Sequence, residues 1–298
     1  MIEKEDYINI CKQLKADYVS HEFLSRGAHN ETFLLNTSKT KYVIKIENNP
    51  MYKNIKQEYD VLKMLKGEFG PKVYLYDKLN NREFIVMEFI EGKNPSRKAN
   101  REFIIKMANW YKQLHKYKKV LNLKEKNKLN IVNKYKQNRK TINNFKSEVP
   151  SNCWNKYHKI LCDLDELIIQ IDPLHKYSLV QGDPTRSNVF INKSKIKLID
   201  WEFSRYDYPE TDITFFEYSY DLNKNLKNLF LETYGYKNKK TLNLFRIDLY
   251  LGLITWRFER LNHLSKGKLK LEMKCTDRDI LLKEMDEDFK EIENLMHS

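Results

Sequence analysis

A chain of 298 residues with 41% hydrophobic and 13% aromatic residues can build one large domain or two modest ones, and is too apolar to be disordered. Its formal net charge of +13 invites a nucleic-acid reading, but no zinc-finger, RRM or basic-zipper pattern accompanies the charge, and much of the excess lies between Lys112 and Lys146, where interleaved apolar residues read as helices with a solvated lysine face. Only eight glycines occur, and no GxGxxG or GxxxxGK can be drawn through them, which excludes the P-loop and the dinucleotide fingerprint.

The N-terminal residues lack the basic and apolar regions of a signal peptide. The apolar stretch around Leu249 to Trp256 is closed off by Arg246 and Arg257, short of the ~20 residues of a membrane span. Cys11, Cys153, Cys162 and Cys275 are scattered without a CxxC pair, which favours isolated thiols over a disulfide framework or a zinc site. The expectation is a soluble cytoplasmic protein with neither a membrane nor a nucleic acid as partner, acting as a monomer or homodimer.

In chain order, Tyr18–Phe23 alternates as a strand, and Glu31–Leu35 and Lys41–Ile46 are β-rich runs separated by a turn-like Asn36–Lys39. Ile55, Tyr59, Leu62 and Leu65 then recur at helical spacing up to Gly67. Val73–Tyr76 and Phe84–Met87 read as two further strands. After Gly92 the texture becomes helical from about Asn100, interrupted by one compact non-helical stretch from Leu179 to about Tyr208. The predicted fold is α+β: a small antiparallel-sheet lobe with one main helix over residues 1–90, and a larger, mostly helical lobe over residues 91–298.

Within the compact stretch, the segment Leu179–Ile191 carries Gly182, Asp183 and Asn188, and Ile196–Glu202 carries Asp200. An apolar strand, a polar loop, a strand, a turn and another strand bring these three polar side chains to the ends of neighbouring β segments. Two carboxylates and an amide so placed suit phosphoryl transfer: one Asp accepts a hydroxyl proton, and the Asn and the second Asp hold Mg²⁺ on nucleotide phosphates. Their order and spacing match the kinase sequence of base, metal amide and metal carboxylate.

These residues resemble the signature of the aminoglycoside phosphotransferase and choline kinase superfamily, HGDxxxxN followed by IDxE or IDW, and the resemblance extends over most of the chain. It implies a bilobal protein-kinase-like fold, ATP or GTP with Mg²⁺ as cofactors, and Asp183 as catalytic base with Asn188 and Asp200 on the metal. It further implies that Ser25, Gly27 and Asn30 belong to the nucleotide loop, that Lys45 of Val43–Ile44–Lys45 meets phosphates, and that Glu58 partners this lysine. Met87–Gly92 is similar to the family's hinge, where backbone groups of Glu88 and Ile90 would meet adenine. Gln113–His115 is similar to the helix end before the catalytic region, with His115 read as mainly structural, and Tyr208–Ile213 to the DPxxDLA segment, with Asp212 read as a loop or helix cap. One position departs: the family's His before Gly–Asp is Gln181, which offers a donor and an acceptor for the same loop-ordering task. That change keeps an inactive ATP-binding pseudokinase as a third reading.

Only twelve positions separate Asp200 from Asp212, too few for a peptide-binding activation segment, so the acceptor expected is a small molecule. The acidic residues from Glu202 to Asp221 and the accompanying aromatics suit a cationic one. Leu198–Tyr208 is similar to the choline and ethanolamine kinase version of this segment, and Asn30–Leu35 to the nucleotide loop of bacterial choline kinases. The expectation is phosphorylation of a choline- or ethanolamine-type alcohol, with an aminoglycoside as the alternative acceptor and Trp201, Glu202 and Trp256 as candidate acceptor contacts.

Overall fold

The computed structural model describes residues 2–27, 30–48, 54–96, 98–117, 143, 146–147, 149–168, 177–193, 195–266 and 277–297. Most of the Lys112 to Lys146 interval, Ala28 and His29 of the expected nucleotide loop, and Cys275 lie outside them. The elements in chain order are α1 (Lys4–Gln13), β1 (Tyr18–Arg26), β2 (Asn30–Thr37), β3 (Lys41–Glu47), α2 (Ile55–Leu65), β4 (Val73–Leu79), β5 (Arg82–Glu88), α3 (Arg101–Leu114), α4 (Ser151–Ile168), β6 (Ser178–Val180), β7 (Val189–Asn192), β8 (Lys195–Leu198), β9 (Arg205–Asp207), α5 (Glu210–Ser219), α6 (Lys224–Tyr234), α7 (Lys239–Ser265) and α8 (Arg278–Met296). The chain divides into two compact units: residues 1–123, 178–212 and 216–234, and residues 124–177, 213–215 and 235–298.

In the first unit the five expected strands form one antiparallel sheet in the order β1-β2-β3-β5-β4. Strand alternation sorts its two faces. Tyr42, Ile44 and Ile46 of β3, with Phe84 and Val86 of β5, pack on Tyr7, Ile10 and Cys11 of α1. On the other face Ile85 and Met87 pack with Val43 and with Ile55 and Tyr59 of α2. Lys45, one step out of phase with Ile44 and Ile46, thereby falls on the α2 face. Helix α1 is absent from the sequence reading, because its apolar set is only three residues long; burial against the sheet and the Glu3 N–H donating to Asp6 Oδ2 at 2.8 Å hold it. Helix α2 stops where Lys66 turns left-handed at φ 51° and Gly67 follows at φ 84°.

The compact stretch is built as expected, of short strands. β6 pairs with β9, and β7 pairs with β8. Lys93 bridges to Ile191 through reciprocal bonds of 3.0 and 2.9 Å. Gly92 permits that approach, since a Cβ there would lie 2.9 Å from the Ile191 carbonyl oxygen. Gly70 does the same for the indole of Trp201, whose Nε1 would be 2.6 Å from an added Cβ. In the second unit α7 and α8 pack together, and buried Arg257 reaches Glu284 and Asp288 across that interface. Burial pushes the Asp288 carboxyl up to about 7 against the pull of Arg257. No helix among the described residues is long and apolar enough to cross a membrane.

Candidate active site

Lys45 stands at the centre of the sheet, opposite Thr32 on β2 and Ile85 on β5. Its ammonium lies 2.7 Å from Glu58 Oε2, 2.7 Å from Asp200 Oδ1 and 3.6 Å from Glu202 Oε2. Burial alone would lower the lysine's pKa. The Glu58, Asp200 and Glu202 carboxylates outweigh it and hold the group protonated, above its ordinary value. Glu58, in the first turn of α2, is fully buried, and its other oxygen accepts the Trp201 N–H at 3.1 Å. That helix therefore both fixes the lysine and positions the backbone next to Asp200. Burial raises the Glu58 carboxyl, with Lys45 opposing.

Asp200 follows β8 in a left-handed conformation, φ 62°, which a non-glycine residue adopts at a cost. The conformation ends the strand and turns the carboxylate toward Lys45. Across from it, Asn188 closes the short 3₁₀ turn Arg186–Asn188. Its Nδ2 donates to the Asp183 carbonyl at 3.0 Å and to Asp183 Oδ2 at 2.9 Å. With the nitrogen so committed, the amide oxygen is the atom left to face a cation. Burial and the nearby Asp200 and Glu202 carboxylates push the Asp183 carboxyl up to about 6, although hydrogen bonds from Asn188 and Thr185 pull it down. Oxygen donors from Asp200 and Asn188 are the hard ligands that Mg²⁺ takes. The carboxylates of Glu58, Asp200 and Glu202, whose oxygens lie within 4.8 Å of one another, add to the negative field a cation would meet.

Gln181 uses both ends of its amide. Its Nε2 donates to the carbonyls of Ile199 at 3.2 Å and Asp200 at 2.8 Å, while its Oε1 accepts the Asp183 N–H at 2.8 Å. One side chain thus ties the Asp183 loop to the segment that carries Asp200. Asp212 completes the support: fully buried, it accepts the N–H groups of Gln181 at 2.8 Å and Gly182 at 2.9 Å and meets His115 Nε2 at 3.2 Å. Asp212 therefore anchors the loop rather than capping its own helix. Gln181→Ala removes three such bonds, and kcat is expected to fall roughly 10- to 100-fold; Gln181→His restores a donor and returns most of it. Steady-state kinetics on the three proteins checks this.

Sequence reasoning missed two supports. Asn94 donates to the carbonyls of Arg186, Ser187 and Val189 at 3.2, 3.1 and 2.8 Å, and Gln57 donates to the Ser204 carbonyl at 2.6 Å. Neither has a local signal, because the partners are distant in sequence and main-chain in kind. Among the nucleotide-loop residues, Ser25 and Gly27 are exposed at the β1–β2 turn, where the Gly27 N–H donates to the Asn30 carbonyl at 2.8 Å. The Glu88 carboxylate accepts the Lys72 N–H at 3.0 Å and Lys197 Nζ at 2.6 Å, and Ile90 is half-buried just beyond it.

Two expected acceptor contacts are corrected. Trp201 is fully buried, with its indole N–H on the Leu198 carbonyl at 2.7 Å, so it has no surface to offer a ligand. Glu202 is buried against Lys45 and Asn30 instead of facing solvent. The acidic set beyond it is also mostly internal: Glu210, Asp212 and Glu217 are buried, and Asp207 pairs with Arg205 at 2.7 Å. Trp256 lies in the second unit, 38% exposed, with the Arg260 guanidinium over its ring at 4.9 Å.

Comparison with known proteins gives a consistent frame. The model of the phosphotransferase enzyme family matches residues 20–236. A protein described as a LicA homolog, from Mycoplasma capricolum subsp. capricolum, is 24% identical over 233 residues, which is 78% of this chain and 87% of that protein. The choline kinase of Cryptosporidium parvum Iowa II superposes with a TM-score of 0.74 at 16% identity, covering 99% of this chain and 97% of the other. A spectinomycin phosphotransferase, solved with ADP and spectinomycin, superposes with a TM-score of 0.62 at 19% identity, covering 98% and 94%. At such identities the structural likeness is one of fold.

Proposed function

The chain belongs to the phosphotransferase enzyme family, and from that footing we propose that it transfers the γ-phosphate of ATP, with Mg²⁺, to the hydroxyl of a small cationic alcohol of the choline or ethanolamine type. The observation that carries the reading is the convergence of Asp183, Asn188, Asp200 and Lys45, with Asn188 holding Asp183 and with Lys45 joining Asp200 to Glu58.

In this reading residues 1–90 serve the nucleotide and residues 91–298 supply the acceptor chemistry. Lys45, steadied by Glu58, neutralises phosphate oxygens, and backbone groups of Glu88 and Ile90 orient the base. Asn188 and Asp200 hold Mg²⁺, which supplies charge neutralisation on the transferring phosphoryl group. Asp183 orients the acceptor hydroxyl and takes its proton, a role for which a carboxyl poised near 6 is suited at neutral pH. With the acidic set largely internal, support for a cationic acceptor comes from the likeness to the choline kinase of Cryptosporidium parvum Iowa II. The likeness to a spectinomycin phosphotransferase keeps an aminoglycoside as the second acceptor.

A nucleotide-consumption screen of the purified protein tests the proposal, using choline, ethanolamine, aminoglycosides, macrolides, thiamine and small sugars. The expected result is turnover with choline or ethanolamine that disappears in Asp200→Asn. Turnover with an aminoglycoside alone selects the second acceptor. Tight nucleotide binding with no turnover on any acceptor makes the protein a pseudokinase.

A further inference from the structure

Asn30 opens β2 directly after the turn that Gly27 closes, yet its side chain serves a distant segment. Its Nδ2 donates to Glu202 Oε2 at 2.6 Å, a contact spanning 172 positions of sequence. Both residues are buried, at 6% and 7% exposure. The same Glu202 oxygen lies 3.6 Å from Lys45 Nζ, and Glu202 shares the carboxylate cluster with Asp200 and Glu58. Lys45 thus meets three carboxylates of this cluster, at 2.7, 2.7 and 3.6 Å. The other atom of the Asn30 amide, Oδ1, is buried without a hydrogen-bond partner. A buried acceptor left unpaired is costly and calls for a donor. Mg²⁺ held at the carboxylate cluster would bring such donors, because it keeps several of its waters.

We propose that Asn30 is a positioning residue for the divalent cation: through Glu202 it binds the nucleotide-loop hairpin to the metal-holding segment, so that loop and metal engage as one unit. The inference rests on the kinase reading above. It gives Glu202, displaced from the acceptor side, a role as the joint between loop and metal.

The test uses the full chain and Mn²⁺ as probe, following the free-ion electron paramagnetic resonance signal with and without ADP, for wild type, Asn30→Ala, Asn30→Ser, Glu202→Gln and Asn30→Ala/Glu202→Gln. With ADP present, Asn30→Ala is expected to weaken Mn²⁺ binding about tenfold. The double variant is expected to be no weaker than the poorer single variant. Asn30→Ser substitutes if the alanine variant does not fold. Mn²⁺ affinity unchanged in a folded Asn30 variant, or losses that simply add, would overturn the proposal. Failure of the wild type itself to bind Mn²⁺ with ADP would instead overturn the kinase reading on which it rests.

Discussion

Asp183→Asn is expected to give a folded, nucleotide-binding protein whose turnover is lower by roughly 10²- to 10⁴-fold, the usual worth of a positioned general base. The asparagine keeps the shape and can still accept from Asn188 Nδ2, but it cannot take a proton. Because the carboxyl sits at about 6, wild-type kcat/KM is expected to fall about tenfold per pH unit below that value. The same displacement has a stability consequence of definite sign. Between the ordinary carboxylate value and about 6, the native chain holds a proton that the unfolded chain has released, so stability falls as pH rises through that window. Asp183→Asn removes the buried charge, and is expected to be more stable than wild type at pH 7.5 by about 3 kcal/mol, with the advantage gone by about pH 4. Urea unfolding of both proteins at the two pH values decides it: an equal difference at both would show that Asp183 carries no such strain.

Lys45→Met is expected to have the largest effect on the fold. The substitution leaves Glu58, Asp200 and Glu202 around an apolar side chain, with the ammonium that paired with them gone. Breaking a buried pair by removing one partner costs about 3 to 5 kcal/mol, and nucleotide turnover should be lost with it. Adding Glu58→Gln takes away the most deeply buried of the stranded charges and is expected to recover much of the stability while recovering none of the turnover. The destabilisation of the single variant should shrink as pH is lowered, since a buried carboxyl that burial already raises picks up its proton. Denaturation midpoints of the single and double variants between pH 8 and pH 5 test this. Full recovery of activity in the double variant would remove Lys45 from the phosphate site.

The residues of the site differ in how far they could be read from the chain alone. Asp183, Asn188 and Asp200 were legible because the geometry they need is local: strand, loop, strand and turn follow within twenty residues, and spacing along short β segments translates directly into distance. Lys45 and Glu58 were legible only through the family resemblance; the structure brings them together because strand alternation puts Lys45 on the face that the first turn of α2 covers. Trp201 and Glu202 were misread because sequence reports chemistry and not direction. Placed next to Asp200, an aromatic and a carboxylate look like acceptor contacts, yet the left-handed turn at Asp200 sends the indole under Gly70 and the carboxylate toward Asn30.

By itself, then, the amino-acid sequence determined the sheet with its one helix, the helical remainder, the exclusion of glycine-rich nucleotide loops and the candidate set of Asp183, Asn188 and Asp200, all of which follow from periodicity and short-range spacing. Tertiary structure alone decided what supports them: Asp212 and Gln181 beneath the Asp183 loop, Asn94 on its carbonyls, and the Asn30–Glu202 contact across 172 positions. The physical reason is that a buried polar group takes whichever partner the packing brings within hydrogen-bond reach, and that partner leaves no periodic trace along the chain.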